Sequence, residues 1–155
     1  MLFSQARNEI YRSIRPILTQ RTEKIWELMV EPEKIHYWKA MWHDDNGNVQ
    51  YNNCWRVQHN SALGPYKGGL RFDPMVDLDT LKFLSLEQTF KNSLTSQNIG
   101  GGKGGSDFNP KNKSNGELKR FSDAFMLGLK NNIGEHIDIP AGDIGVDAKT
   151  VGYLY

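Results

Sequence analysis

The sequence predicts a single α/β domain in which strands alternate with helices. Three observations lead to this prediction. A strand–turn–strand pattern surrounds Asn46-Gly47, two long helical patterns follow it, and a short strand pattern comes after the second of these helices. The chain of 155 residues is 38% hydrophobic, which is enough to fill the core of one domain. It contains no internal repeat and no low-complexity linker that would divide it.

The first 60 residues are predicted to form a broken helix and then a β-hairpin. Apolar residues recur at helical spacing across residues 3–30, and Pro16 is expected to kink or split this helix. The hairpin strands are predicted at residues 35–42 and 49–59, because the Asp-Asp-Asn-Gly-Asn segment at 44–48 is typical of a tight turn.

The second hairpin strand alternates apolar and polar residues. Its polar positions are Gln50, Asn52, Arg56 and Gln58. The other parity holds Val49, Tyr51, Trp55, Val57 and His59, with Asn53 interrupting it. One face of this strand is therefore predicted to be buried.

Two glycine-rich segments flank the next helix. Residues 61–74 are so rich in Gly and Pro that they are predicted to form an irregular, functional loop. A helix is predicted from Leu78 to about Thr95, capped by an aspartate just before or within its first turn. The glycine cluster at residues 100–105 is assigned to neither helix nor strand.

The C-terminal third is predicted to contain a helix, a strand and the beginning of another helix. Ser114 and Glu117 have the spacing of a capping box, and Gly134 is the predicted stop of the helix that they start. Residues 137–145 resemble a short strand that ends in a Gly-bounded loop, and residues 148–155 resemble the start of a helix.

Composition and motifs exclude several classes of function. The net charge of +1 argues against a nucleic-acid binder, which would carry a basic stripe. Gly100–Gly105 matches G-x-G-x-x-G, but a turn-rich segment follows it where a dinucleotide site needs a helix. The four histidines have no metal-binding spacing, and a lone Cys54 forms neither an internal disulfide nor a thiolate cage. No apolar run approaches a membrane span and residues 1–6 lack a secretory signal, so a cytoplasmic location is expected.

A set of lysines and one aspartate are the candidate functional residues. Glycines surround Lys67 and Lys103, which would let a ligand approach both ammonium groups closely. Gln88 and Lys91, at i and i+3 of a helix, would project together and could bind one carboxylate of a dicarboxylate. Asp143, in Pro-Ala-Gly-Asp-Ile-Gly, would be the carboxylate that transfers protons. The alternative is that the lysines are solvated and that the aspartate forms a turn.

Four segments resemble the hexameric glutamate dehydrogenases of the Glu/Leu/Phe/Val dehydrogenase family. They are Arg56–Phe72, Glu87–Asn92, Gly100–Phe108 and Pro140–Val146, and they occur in the family's order. The resemblance extends from about Val30 to Tyr155. It implies an α/β fold with a mixed β-sheet flanked by helices. It also implies an N-terminal helical segment at 1–29 and a substrate-binding (dimerisation) domain at 30–155, truncated at its C-terminal end and lacking the Rossmann domain.

The resemblance also implies roles for the candidate residues. Lys103 would be the catalytic lysine and Asp143 the catalytic proton-transfer carboxylate. Lys67 would bind the distal carboxylate of glutamate, while Gln88 and Lys91 would bind its α-carboxylate.

The implied reaction is reversible oxidative deamination of L-glutamate to 2-oxoglutarate and ammonia, with NADP or NAD as the cofactor, in a homo-oligomer that is a hexamer in the full-length family. NADP is the expected preference, and no nucleic-acid or membrane partner is expected. Because the cofactor would be bound mainly by a missing domain, residues 1–155 alone are expected to be inactive. The alternatives are a non-catalytic truncated subunit that binds dicarboxylates or assists assembly, and the product of a degraded reading frame.

Overall fold

The fold is a mixed five-stranded sheet with helices on both faces, as the resemblance implied. A computed structural model of the chain describes residues 2–155. The strand order is β1-β2-β4-β3-β5. The strands are β1 (Lys34–His43), β2 (Val49–Asn60), β3 (Tyr66–Phe72), β4 (Gly101–Ser106) and β5 (Asp138–Gly142). β1 and β4 each pair antiparallel with β2, whereas β3 pairs parallel with both β4 and β5.

Five α-helices and two 3₁₀ turns connect and cover these strands. The helices are α1 (Leu2–Ile14), α2 (Gln20–Val30), α3 (Leu78–Ser93), α4 (Asn115–Leu129) and α5 (Ala148–Leu154). The 3₁₀ turns are Arg15–Ile17 and Lys130–Asn132. Within residues 2–155, no helix has both the length and the apolar character that a membrane span requires.

The core has two layers because successive strand residues point to opposite faces of the sheet. On one face, α4 packs its phenylalanines against a cluster that includes Trp42, Cys54 and Phe72. On the other face, α3 packs against Val57 and also contacts α1 and α2. The sheet thus has helices on both faces, with α3 over β4, its central strand, and α4 over β1.

The predicted helix starts are confirmed by their caps. Asp77 accepts a hydrogen bond from the Thr80 amide at the start of α3, and Ser114 and Glu117 form the capping box of α4. The long N-terminal helix is split by a 3₁₀ turn that contains Pro16, as predicted. The predicted stop at Gly134 is wrong, because α4 ends at Leu129 and the chain continues as the 3₁₀ turn Lys130–Asn132.

The two glycine-rich segments are strands, which contradicts the sequence prediction. β3 lies inside the predicted loop at 61–74, and β4 consists of the glycine cluster. Glycine is needed there because neighbouring backbone approaches too closely for a side chain. A Cβ on Gly105 would lie 2.2 Å from the Arg71 carbonyl oxygen, and one on Gly101 would lie 2.6 Å from Thr89 Cα. Tertiary contact therefore overrides the low strand propensity of glycine.

The predicted single buried face of β2 is also wrong. Val49 and Tyr51 are 59% and 63% exposed, whereas Arg56 and Gln58 are 0% and 2% exposed. The second half of β2 lies between β1 and β4 with helices over both faces, so both parities are buried there. Arg56 is accommodated because its guanidinium forms an ion pair with Asp138, which is also fully buried.

Candidate active site

Three charged side chains meet where β3, β4 and β5 lie beside one another. The ammonium of Lys103, on β4, lies 2.8 Å from Oδ2 of Asp143, the residue that follows β5. Arg71, on β3, donates from its Nε to the same oxygen at 2.9 Å. We call Arg71, Lys103 and Asp143 the lysine–aspartate site. The two residues predicted to be catalytic are therefore in direct contact.

The turn after β5 sets the position of Asp143. The Val146 amide donates to the Asp143 carbonyl at 2.9 Å, and the Phe72 amide donates to the Ile144 carbonyl at 3.0 Å. Gly145 has a φ of +74°, and a Cβ there would lie 2.1 Å from the Phe72 carbonyl oxygen. Glycine is required at this position on both grounds. The turn is thereby held against the end of β3, next to Arg71.

Two glycines of β3 leave space for the site. A Cβ on Gly69 would lie 2.8 Å from Asp143 Cβ and 3.4 Å from Lys103 Nζ. A Cβ on Gly68 would lie 1.6 Å from the Gly102 carbonyl oxygen and 3.2 Å from Gln88 Cγ. The pair of glycines after Lys67 thus allows β4, α3 and the Asp143 turn to approach β3.

Asn92, a buried residue of α3, ties the surrounding segments together. Its Nδ2 donates to the carbonyl of Lys67 at 3.1 Å and to that of Gly100 at 2.5 Å. Its Oδ1 accepts from Gln88 Nε2 at 2.8 Å. The candidate binding residues Lys67 and Gln88 are therefore linked through one side chain. Neither Asn92 nor Arg71 was assigned a role in the site from the sequence.

A signal for Arg71 was available in the sequence. It lies two residues after Gly69, and residues two apart in a strand share a face. Once residues 66–72 are assigned to a strand, Arg71 falls on the face that Asp143 approaches. Asn92 carried no comparable signal, because its contacts join three segments that are separated in the chain.

The remaining predicted binding residues differ in their surroundings. Lys67 is partly buried, and no ion pair to its ammonium occurs among residues 2–155. Burial, with the positive charge of Arg56 adding to it, lowers the pKa of Lys67, while Asp138 opposes this shift. Lys91 is different: its side chain is 62% exposed and its Nζ lies 3.1 Å from Glu87. The structure therefore does not bring Lys91 to the lysine–aspartate site.

The lysine–aspartate site favours an ionised carboxylate. Partial burial acts to raise the pKa of Asp143, but the hydrogen bonds and positive charges of Lys103 and Arg71 outweigh it. The pKa of Asp143 is consequently below its usual value. A charged aspartate against a largely buried lysine can pass a proton between substrate and solvent.

Three other features bear on what this part of the protein can bind. A groove between α4, β5 and α5 is mostly apolar, and none of the five predicted site residues lines it. In the part of the chain that the structure describes, no group of His, Cys, Asp or Glu side chains could hold a metal ion. The glycine pattern at 100–105 is a buried strand, not a loop before a helix, so it does not fit the pyrophosphate of a dinucleotide.

Comparison with known proteins decides the family. Residues 32–155 match the family described as Glu/Leu/Phe/Val dehydrogenase, dimerisation domain. The chain belongs to this dehydrogenase family. It is similar to the NADP-specific glutamate dehydrogenase of Tuber borchii, with 53% identity over 99% of this chain and 34% of the relative. It is also similar to the NADP-specific glutamate dehydrogenase of Salmonella typhimurium, with 51% identity over 98% of this chain and 35% of the relative.

Solved structures of dehydrogenases share the fold. Plasmodium falciparum glutamate dehydrogenase 2 superposes with a TM-score of 0.97 at 47% identity, over 99% of this chain and 34% of that protein. A second Plasmodium falciparum glutamate dehydrogenase gives a TM-score of 0.97 at 52% identity, over 99% of this chain and 33% of that protein. The chain thus spans about a third of the length of the dehydrogenases that it matches, and it corresponds to their N-terminal domain.

Proposed function

We propose that this chain is the substrate-binding part of an NADP-dependent glutamate dehydrogenase. The reaction would convert L-glutamate, NADP⁺ and water into 2-oxoglutarate, ammonium, NADPH and a proton. The observation that carries this proposal is the contact between Lys103 and Asp143 beside the glycines of β3. Relatives about half identical over almost the whole chain are named NADP-specific glutamate dehydrogenases, which supports the same reaction and cofactor.

Lys103 and Asp143 would supply the proton chemistry. The ammonium of Lys103 can stabilise negative charge that develops on a substrate oxygen and can orient the water that attacks the imine. The ionised carboxylate of Asp143 can take a proton from the substrate amine and later return one to ammonia. Hydride transfer would require the nicotinamide cofactor, and the glycine pattern of β4 is a buried strand that does not form a dinucleotide-binding loop.

Lys67, Gln88 and Lys91 would bind the two carboxylates of the substrate. The ammonium of Lys67 is partly desolvated and forms no ion pair with any other described residue, so an incoming carboxylate would be its first ion-pair partner. Gln88 lies against Gly68, close enough to offer its amide to the same substrate. Lys91 would have to exchange its contact with Glu87 for the substrate α-carboxylate.

Glutamate-dependent reduction of NADP⁺ by the full-length protein that contains this chain tests the proposal. Lys103→Gln should lower kcat by about 100-fold or more, as expected for loss of a group that acts in proton transfer. Lys119→Gln is the matched control, because Lys119 is an exposed lysine paired with Asp123 on α4. Full activity of K103Q, or equal losses in the two variants, would refute the assignment.

Dicarboxylate binding without turnover is the alternative for the 155-residue chain, favoured by the poor fit of its glycine strand to a dinucleotide. Calorimetric titration with 2-oxoglutarate distinguishes the cases. Binding that Lys67→Gln abolishes, without NADP⁺ reduction, supports a binding role for the chain. Absence of binding removes this alternative and leaves only the role within a longer enzyme.

Self-assembly is the second part of the proposal, and the description of the family domain as a dimerisation domain supports it. β1 is an edge strand, and five apolar side chains on one face of the hairpin formed by β1 and β2 are exposed. This outer stripe consists of Ile35, Tyr37, Met41, Val49 and Tyr51. Lys39 lies within the stripe, with its ammonium 5.0 Å from the ring centre of Tyr51. Exposed apolar side chains gathered on one face of a sheet are typical of an interface, and the same stripe on a second copy is its proposed partner.

Sedimentation of the chain tests the outer stripe. The wild type should form a dimer or a larger assembly, and Met41→Lys should dissociate it because the charge would be buried in the interface. Leu94→Lys is the matched control, since Leu94 is 86% exposed but lies outside the stripe. A monomeric wild type, or equal effects of both substitutions, would contradict this interface.

A further inference from the structure

The two oxygens of the Asp143 carboxylate are used differently. Oδ2 accepts from Arg71 Nε at 2.9 Å and lies 2.8 Å from Lys103 Nζ. Oδ1 receives no hydrogen bond from any of residues 2–155. Both cations therefore bind one oxygen, and the other oxygen is left available.

Arg71 is built into the sheet in a way that keeps it beside Asp143. Its backbone pairs with Gly105 of β4, and the next residue, Phe72, anchors the turn that carries Asp143. Its side chain is mostly buried, with 22% exposed. A guanidinium stays charged at every pH that the fold survives, whereas a lysine ammonium can lose its proton or change its partner. The contact between Arg71 and Asp143 can therefore persist when the Lys103 ammonium moves to another partner.

Two further charged side chains share a shallow groove with Asp143. Lys111 and Asp147 line this groove together with Asp143. Neither forms an ion pair with Asp143, and Asp147 instead caps α5 through Thr150. Arg71 and Lys103 are therefore the two charged groups in direct contact with this carboxylate within residues 2–155.

We propose that Arg71 is a positioning residue that holds Oδ2 of Asp143, so that Oδ1 is the oxygen that exchanges a proton with the substrate. Arg71 also keeps the carboxylate in place while Lys103 turns its ammonium toward the substrate. This role rests on the proposed function, but the contact itself can be tested without turnover.

The first test is a carboxyl-carbon NMR titration of Asp143 in the 155-residue chain. Arg71→Gln should raise the apparent pKa of Asp143, because one of the two groups that stabilise its charged form is lost. Arg120→Gln is the matched control, since Arg120 pairs with the distant Asp45 on the surface. Arg71→Lys provides the test if R71Q does not fold, and a smaller upward shift is expected because it keeps the charge without the Nε geometry. An unchanged Asp143 titration in a folded Arg71 variant overturns the proposal.

The second test uses the full-length enzyme. R71Q should lower kcat about 10- to 100-fold with a smaller change in KM, because a misplaced catalytic group affects turnover more than binding. The acidic limb of the kcat profile should move to higher pH, and R71K should restore part of the rate. An increase in KM with kcat unchanged, or a pH profile of kcat that does not move, overturns the positioning role. Shifted titration in a protein without dehydrogenase activity would instead support the positioning contact and reject the proposed function.

Discussion

Asp138→Asn should destabilise the fold severely, because it removes the negative partner of a fully buried arginine. Arg56 and Asp138 both have side chains with no solvent exposure, and Arg56 Nε donates to Asp138 Oδ2 at 2.8 Å while Nη2 binds Oδ1. Gln58 donates to the same carboxylate at 3.1 Å. An asparagine of the same shape keeps one acceptor oxygen and turns an amide toward the guanidinium.

The expected loss in the free energy of unfolding is about 3–5 kcal/mol, the cost of leaving a buried charge without its partner. That is a large fraction of the roughly 5–15 kcal/mol that stabilises a typical domain. Arg56 also donates to the carbonyls of Gly68 and Gly69 at 3.1 and 3.4 Å. A shift of this guanidinium would therefore also disturb the glycines beside Lys103.

Urea denaturation of the chain, followed by circular dichroism and tryptophan fluorescence, measures the loss. Asp45→Asn is the matched control, because Asp45 accepts from Arg120 on the surface at 2.6 Å, and its urea midpoint should stay near that of the wild type. Arg56→Met in the D138N background should recover part of the stability, since it removes the uncompensated charge. A D138N protein within about 1 kcal/mol of the wild type would refute the reasoning.

Three further predictions concern the packing of the site, the pH dependence of the free energy of unfolding, and the cap of α4. Gly69→Ala should lower both the thermal midpoint and glutamate turnover, because its Cβ would lie 2.8 Å from Asp143 Cβ. Gly152→Ala is the control and should lower neither quantity, because no atom lies within 4 Å of its Cβ position. Equal effects of the two substitutions would contradict the close packing at Gly69. Burial, opposed by a hydrogen bond to Met29, lowers the pKa of His59 below 6.5. Just below pH 6.5 the imidazole of His59 is therefore protonated in the unfolded chain but still neutral in the folded chain. Because protonation then favours the unfolded chain, the free energy of unfolding should fall as pH falls from 7 to 5.5. His59→Gln should flatten that slope in urea titrations. A slope in H59Q as steep as that of the wild type would argue against this reasoning. Ser114→Ala should cost about 1 kcal/mol in urea denaturation by removing the cap of α4, whereas an unchanged midpoint would show that the capping box does not stabilise the helix.

Local sequence signals predicted much of the fold. The Asn46-Gly47 turn, the Pro16 break and the Ser114–Glu117 capping box each depend on residues a few positions apart, and each is present in the structure. The strands β3 and β4 were missed because glycine has a low intrinsic strand propensity. Their glycines are required by contacts with α3 and with each other, which no local pattern reveals.

The candidate site was predicted in part. The glycines around Lys103 and the turn at Asp143 drew attention to both residues, and the structure places them in contact although they are forty residues apart. Arg71 was missed because its segment was assigned to a loop, which concealed the face that it shares with Gly69. Lys91 lies in the solvent beside Glu87, so its predicted role in binding remains a prediction.

The helices, the caps of α3 and α4, the hairpin and the family resemblance could be predicted from the sequence alone, because they depend on short-range spacing and on strings of residues that can be read in order. The tertiary structure was needed to show that a run of glycines is the central strand of the sheet. It also decided that Arg56 is buried on Asp138 and that Asp143 accepts from both Lys103 and Arg71 through one oxygen. These outcomes depend on which distant segments become neighbours, and the free energy of burying a charge or a glycine backbone is set by those neighbours.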